Sequence, residues 1–236
     1  MSDYKRILVK LSGERFGGDD TILDVDQINL LADELVALRE AGYEVAVTVG
    51  GGNILRGHEA AANGIEEGQA HYMGMLALTI NALALQSVLE QKGVQTRVMT
   101  GLDIARMAEP FIRRRATRHI EKGRIVIFAS SGQPFMTSDT VGALRSIEIS
   151  ADLMIKASRV DGIYTSDPES NPDAQHIPEL TYKTALVEDL RVMDGSAIAM
   201  CQDNKMPLMV TKVVGDKSIL KALKGEVKRT LVRASE

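Results

Sequence analysis

The chain predicts an α/β protein built on a mostly parallel, doubly wound sheet, and three observations lead there. Short apolar runs rich in β-branched residues alternate with segments of helical periodicity from end to end. Two of those runs stop at glycines, in Ser12-Gly13 and in Gly50-Gly51-Gly52, as strands do where a ligand meets the C-terminal edge of a parallel sheet. No internal repeat, low-complexity tract or linker divides the 236 residues.

In chain order, the first strand signal is Arg6–Leu11. A helix follows, with Ile28, Leu31, Leu35 and Leu38 repeating at three and four, Asp24 and Asp26 as candidate caps, and Ala41-Gly42 as the stop. Glu44–Val49 is the second strand. From about Gln69 to Gln91 the pattern is helical and apolar nearly all round, so both sides need cover, from its own sheet and from a subunit interface. Leu83→Asp or Leu85→Glu is expected to lower the assembly state or abolish folding. Strand signals at Gln95–Met99, Arg124–Ala129, Asp152–Ala157 and Leu208–Val210, with a weaker one at Thr230–Val232, complete the sheet. Helical signals at Arg113–Lys122, Thr140–Ile149, Thr181–Leu190, Gly195–Asn204 and Ser218–Lys224 lie among them. Ser166 to Pro178, with three prolines, reads as one long irregular loop, and such loops in compact domains are functional or mobile.

Charged residues make up 25% of the chain and the net charge is −4, which argues against a nucleic-acid or membrane partner held by bulk positive charge. The single cysteine, Cys201, cannot close an internal disulfide, and the N-terminus carries no secretory apolar core, so a cytoplasmic protein is expected. Met73 to Leu89, the longest apolar stretch, is broken by Gly74, Asn81, Gln86 and Ser87 and reads as a buried helix rather than a membrane span.

Adjacent glycines let a backbone approach a ligand with no Cβ in the way, and the free N–H groups of such a turn suit an anion. Arg56, just past the triplet, adds a guanidinium able to bind phosphate in bidentate fashion. At the first junction Lys10, Ser12 and Gly13 put an ammonium, a hydroxyl and a permissive backbone at one strand end. A plain turn and a solvated lysine would explain either junction alone; together they indicate a phosphate site.

The commoner phosphate motifs are missing. There is no Walker pattern, no alternating-glycine dinucleotide fingerprint and no protein-kinase catalytic loop, and His58, His71, His119 and His176 lack metal-ligand spacing. A third strand end supplies Lys156-Ala157-Ser158-Arg159-Val160-Asp161-Gly162-Ile163-Tyr164-Thr165-Ser166-Asp167-Pro168. A tyrosine and a carboxylate beside a lysine could flank an adenine or ribose there, although Asp161-Gly162 and Asp167-Pro168 are also ordinary turn signals. Asp139 and Asp194 both read as helix caps, and Arg113-Arg114-Arg115 as the solvated face of a short helix.

Order and wording together are more specific. Lys10-Leu11-Ser12-Gly13-Glu14, Gly50-Gly51-Gly52-Asn53 with Arg56, Met73-Gly74-Met75-Leu76-Ala77, Pro134-Phe135, Ile147-Glu148-Ile149, Lys156 to Pro168 and Leu190-Arg191-Val192-Met193-Asp194 resemble the bacterial UMP kinase family of the amino acid kinase superfamily. The resemblance runs from about Tyr4 to the C-terminus. It implies an α/β/α sandwich forming one domain over 1–236, with an acceptor-side half at about 1–150 and an ATP-side half at about 151–236. It also implies Mg²⁺-dependent transfer of the ATP γ-phosphoryl group to UMP, giving UDP in pyrimidine biosynthesis, by a homohexamer built from dimers. On the same ground Lys10, Leu11, Ser12, Gly13, Gly52, Arg56, Ser158, Tyr164 and Asp167 would bind ATP. Gly51, His71, Ser131, Gly132, Gln133, Pro134, Phe135, Met136, Thr137 and Ser138 would bind UMP. Lys10 and Lys156 would neutralise the transferring group while Asp194 orients them.

Such a transfer needs in-line positioning and cations more than a base, since the acceptor phosphate is already ionised. Several positions depart from the family pattern. His71 stands where the family has an Asp on the acceptor ribose. Ser130-Ser131-Gly132-Gln133-Pro134-Phe135 replaces Gly-Thr-Gly-Asn-Pro-Phe, and Ser158 replaces a Thr. Arg15-Phe16-Gly17-Gly18-Asp19-Asp20 is short and altered where regulated members bind GTP. A relative with another phosphate or carboxylate acceptor therefore stays open, as does a non-catalytic nucleotide- or oxyanion-binding storage protein, although a storage protein need not keep Lys10, Lys156 and Asp194.

Overall fold

The computed structural model describes residues 4–19, 21–168, 170–188, 190 and 192–234, so Asp20 and Arg191 of the motifs above lie outside the described residues. The first half runs β1 (Arg6–Leu11), a 3-10 turn (Gly13–Arg15), α1 (Val25–Glu40), β2 (Glu44–Val49), α2 (Gly57–Ala62), α3 (Glu67–Gln91), β3 (Thr96–Thr100), β4 (Glu109–Pro110), α4 (Arg113–Glu121), β5 (Ile125–Ser130) and α5 (Ser138–Glu148). The second runs β6 (Leu153–Ser158), β7 (Ile163–Tyr164), β8 (His176–Ile177), β9 (Glu179–Thr181), α6 (Tyr182–Val187), α7 (Gly195–Asp203), β10 (Leu208–Lys212), α8 (Ser218–Lys224) and β11 (Thr230–Arg233).

Nine strands form one sheet in the order β4-β3-β5-β2-β1-β6-β10-β11-β9, and β7 and β8 pair as a separate hairpin. Only the β10–β11 pairing in the sheet is antiparallel among the described strands. Period two sorts the layers. Ile7, Val9 and Leu11 of β1 face the core shared with α1, α3 and α8, whereas Leu8 faces the core shared with α4, α5, α6 and α7. The result is the expected three-layer α/β/α arrangement.

Every strand and helix signal found in the sequence has an element on it. The short pieces β4, β7, β8, β9 and α2 are additional. β8 lies inside the segment expected to be irregular, pairing His176 with Tyr164, and Thr165 N donates to Gln175 O at 3.0 Å behind it. α3 is long and apolar enough to cross a membrane by length and composition. In the fold it lies against the sheet and α1, with Ala82, Leu85 and Leu89 buried. Leu85 is a core residue, where a charge would act on folding, and Leu83 packs partly buried on the same core. The open face of α3 carries Tyr72, Leu76 and Ile80, which are 43%, 50% and 46% exposed.

The chain leaves β1 for β2 on one side and reaches β6 on the other. Ligands of open α/β sheets bind at such a switch point, outside the carboxyl ends of the strands. Here those ends are Leu11, Val49 and Ser158.

Candidate active site

Lys10 and Lys156 are register partners across the parallel β1–β6 pair. Register partners share a face, so both ammonium groups leave the sheet toward α5. Two adjacent cations need an anion, and Asp139 in the first turn of α5 supplies it, with Oδ1 at 2.8 Å from Lys10 Nζ and Oδ2 at 2.8 Å from Lys156 Nζ. Lys156 Nζ also donates to Val192 O at 2.7 Å, and Lys10 Nζ to Ser12 Oγ at 3.3 Å. Gly142 brings α5 this close, since a Cβ there would lie 2.7 Å from Met154 Cε and 3.3 Å from Thr48 Oγ1. Burial pushes the Asp139 carboxyl up, but Lys10 and Lys156 outweigh it and hold the group below the usual aspartate value.

The cap of α5 is Thr137, which accepts from Thr140 N at 3.1 Å, so Asp139 is not the cap its sequence context suggested. Asp194 does cap its helix, α7, accepting from Ala197 N at 3.0 Å. It also accepts from Thr137 Oγ1 at 2.5 Å and Thr140 Oγ1 at 2.8 Å. Asp194 therefore ties α7 to the start of α5, and the carboxylate in contact with both lysines is Asp139.

Beside the lysines, the loops after β1 and β2 lie backbone against backbone. A Cβ at Gly13 would stand 2.4 Å from Gly52 N, and one at Gly50 would stand 2.5 Å from Gly13 N, so no side chain fits at either place. Gly50 N donates to Leu11 O at 2.8 Å. The Leu11 side chain is buried in the core, which leaves only its main chain near the site. Arg56 opens α2, lies against Gly52 and pairs with Glu14.

A cavity of about 470 Å³ opens over this cradle. Lys10, Ser12, Gly13, Gly51, Gly52 and Arg56 line one wall, and His71, Gln133, Phe135, Met136, Thr137 and Ser138 line the other. The His71 and Phe135 rings lie 4.7 Å apart, tilted by 56°. Phe135 adopts φ 65°, an uncommon conformation for a bulky residue, and stays 64% exposed. Ser131, Gly132 and Pro134 fall outside that lining and shape the loop instead. Ser131 Oγ accepts from Gln133 N at 3.1 Å, and Gly132, at φ 82°, rests its backbone on Gly101. Sequence reasoning missed Leu55, His58 and Leu78 as further lining residues; for Gly74 and Met75 the Met73-Gly74-Met75 wording was an available signal.

On the far side of the lysine pair a second cavity of about 550 Å³ is lined by Lys156, Ser158, Tyr164, Asp167 and Val192 among others. The Tyr164 hydroxyl donates to Asp161 Oδ1 at 2.6 Å, a bond that helps push the phenol up to about 12. The ring meets the His176 ring edge-on with centroids 5.2 Å apart, so Tyr164 is held from two sides. Ser158 Oγ accepts from Val160 N at 3.3 Å. The arrangement is two cavities meeting at paired cations and a backbone cradle, a geometry suited to moving an anionic group from one ligand to another.

Residues 5–212 match the model of the amino acid kinase family. The structure is similar to that of UMP kinase from Ureaplasma parvum, with TM-score 0.92 and 34% identity, covering 98% of this chain and 99% of that one. It is similar as well to UMP kinase from Bacillus anthracis, with TM-score 0.94 and 35% identity, covering 99% of this chain and 97% of that one. The chain belongs to the amino acid kinase family.

Proposed function

We propose that this kinase transfers the γ-phosphoryl group of ATP to UMP, giving UDP for pyrimidine nucleotide synthesis in the cytoplasm, and that residues 1–236 act as one domain with a donor side and an acceptor side. The observation that carries the reading is the Lys10–Asp139–Lys156 cluster set between two cavities. Its likeness to two UMP kinases over nearly the whole chain supports UMP as the acceptor.

In this reading the ATP nucleoside lies beside Ser158, Tyr164 and Asp167, and its phosphates run to Ser12, Gly13, Gly52 and Arg56. UMP takes the other cavity, with its phosphate at Gly51 and its nucleoside toward His71, Met136 and Thr137. Asp139 fixes both ammonium groups before any phosphate arrives, so they meet the developing charge without reorganising. A loose phosphoryl-transfer transition state places charge on its equatorial oxygens, and Lys10 and Lys156 neutralise it there. The attacking UMP oxygen is already ionised, so no side chain has to remove a proton. Mg²⁺, when bound with ATP, shields the phosphate charge. The described residues contain no group of three or more His, Cys, Asp or Glu placed to hold a metal, and Ser12 and Asp139, both in contact with Lys10, are oxygen-bearing side chains that would help hold the ion with ATP.

Tyr72, Leu76 and Ile80 recur every fourth residue along the open face of α3. A second copy covering that stripe would make the dimer from which a homohexamer is built.

A coupled ADP-release assay with ATP, Mg²⁺ and a panel of UMP, dUMP, CMP, AMP, GMP and small carboxylates tests the function. UMP is expected to be the fastest acceptor. His71 in the acceptor wall favours a second reading, a different phosphate or carboxylate acceptor, and faster turnover of such a compound would replace UMP. Binding of ATP with no turnover of any acceptor would favour a storage role.

A further inference from the structure

We propose that Arg159 is a further ligand of the donor polyphosphate and that Glu14 is an internal anion with which ATP competes for Arg159 and Arg56; the idea rests on the donor assignment above. Glu14 stands one residue past Gly13, on a 3-10 turn held by Arg15 N to Ser12 O at 3.0 Å and Phe16 N to Gly13 O at 2.8 Å. From this fixed backbone the carboxylate gives one oxygen to each of two arginines. Oε1 meets Arg56 Nη2 from the start of α2, and Oε2 meets Arg159 Nη2 at 2.5 Å from the end of β6. Arg15, the next guanidinium along, is turned onto Val213 O and takes no part.

Position distinguishes this clasp from an ordinary surface ion pair. Glu14 and Arg56 line the cradle cavity, and Arg159, paired to the same carboxylate, lines with Glu14 and Arg15 another cavity of about 530 Å³. A donor phosphate held at Gly13, Gly52 and Arg56 would lie beside that carboxylate and within reach of the second guanidinium on it. A carboxylate there repels phosphate, whereas two guanidiniums match its oxygens in bidentate fashion. The side chains keep solvent contact, 33% for Glu14, 40% for Arg56 and 68% for Arg159, and ion pairs that exposed are weak enough to exchange. Glu14 therefore keeps the arginines converged beside the cradle while lowering the affinity for whatever phosphate takes them over.

Calorimetric titration with the inert βγ-methylene analogue of ATP, in the presence of Mg²⁺, tests this on the full chain. Glu14→Gln keeps the shape and removes the charge, so the analogue should bind about threefold to tenfold more tightly. Arg159→Ala should weaken the analogue about tenfold, the loss of one charge-assisted contact, and Arg159→Lys should restore part of it. Structural damage does not tighten binding, so the gain in Glu14→Gln separates this role from a folding role. A wild type that binds no analogue overturns the donor assignment itself. A wild type that binds it, with Glu14→Gln no tighter and Arg159→Ala no weaker, overturns the clasp alone.

Discussion

The two cavities that meet at Lys10 and Lys156 are built in opposite ways. The one beside Tyr164 comes mostly from a single run, Lys156 to Pro168, backed by Glu188, Leu190, Val192 and Val210. The cradle cavity is gathered from β1, β2, the start of α2, α3 and the loop between β5 and α5. A contiguous wall keeps its shape through local contacts, such as the 2.6 Å bond from Tyr164 to Asp161. A gathered wall depends on long-range backbone contacts, Gly13 on Gly50 and Gly101 on Ser131, so one change there moves several sides at once. Asp139 is the joint between the two, and the substitutions below test that division.

The largest effect is expected at the joint. Asp139→Ala leaves a buried Lys10 and a partly buried Lys156 facing each other without their anion, and removing one partner of such a cluster costs about 3–5 kcal/mol of stability, measurable by urea unfolding. The pH dependence has a definite sign. The folded-state value of Asp139 is depressed, so its contribution is complete above the usual aspartate range and is lost as pH falls through the depressed value. Asp139→Asn should therefore show a flatter stability curve on acidification than the wild type. Parallel curves would mean that the lysines are neutralised elsewhere.

Next come the lysines themselves. Lys10→Ala and Lys156→Ala should each lower kcat by about 10²–10³-fold, equivalent to about 2.7–4 kcal/mol, because each removes a preorganised cation from the developing charge. Near-normal kcat in either variant removes that residue from the transfer step.

A smaller and one-sided effect is expected from α3. One face of this helix gives His71, Gly74, Met75 and Leu78 to the gathered cavity, while Tyr72, Leu76 and Ile80 lie open. Leu76→Asp should lower the assembly state seen by light scattering, and should raise the UMP KM more than the ATP KM. A wild type that is monomeric at all concentrations would remove the interface, and equal changes in both KM values would remove the asymmetry.

The same division decided what could be read from sequence. The wall beside Tyr164 is one uninterrupted phrase, and the strands and long helices announce themselves by period, so these were legible. Asp139 was not: an aspartate just ahead of a helix looks like a cap, and only the register of Lys10 with Lys156 shows that two cations wait opposite it. Which face of α3 would be open was not legible either, because a helix apolar nearly all round has no preferred face, and packing against the sheet and α1 chose one. β4, β7, β8 and β9 are two or three residues long and make no periodic signal; tertiary pairing alone defines them.

The smallest effect is expected at His71 in the gathered wall. A neutral imidazole has one acceptor nitrogen, whereas a carboxylate accepts from both hydroxyls of a ribose. The ring also rests on Phe135 at 4.7 Å, so part of its role is to support an exposed aromatic residue in an uncommon backbone conformation. His71→Asp should lower the UMP KM about fivefold, the worth of one net hydrogen bond of about 1 kcal/mol, and leave the ATP KM unchanged. Discrimination against dUMP should sharpen in parallel, since the gained contact is to the hydroxyl that dUMP lacks. His71→Ala, by contrast, removes both the acceptor nitrogen and the support for Phe135, and should raise the UMP KM. If His71→Ala leaves UMP and dUMP kinetics untouched, the imidazole only packs beside α3, and acceptor recognition rests with Gln133, Thr137 and Ser138.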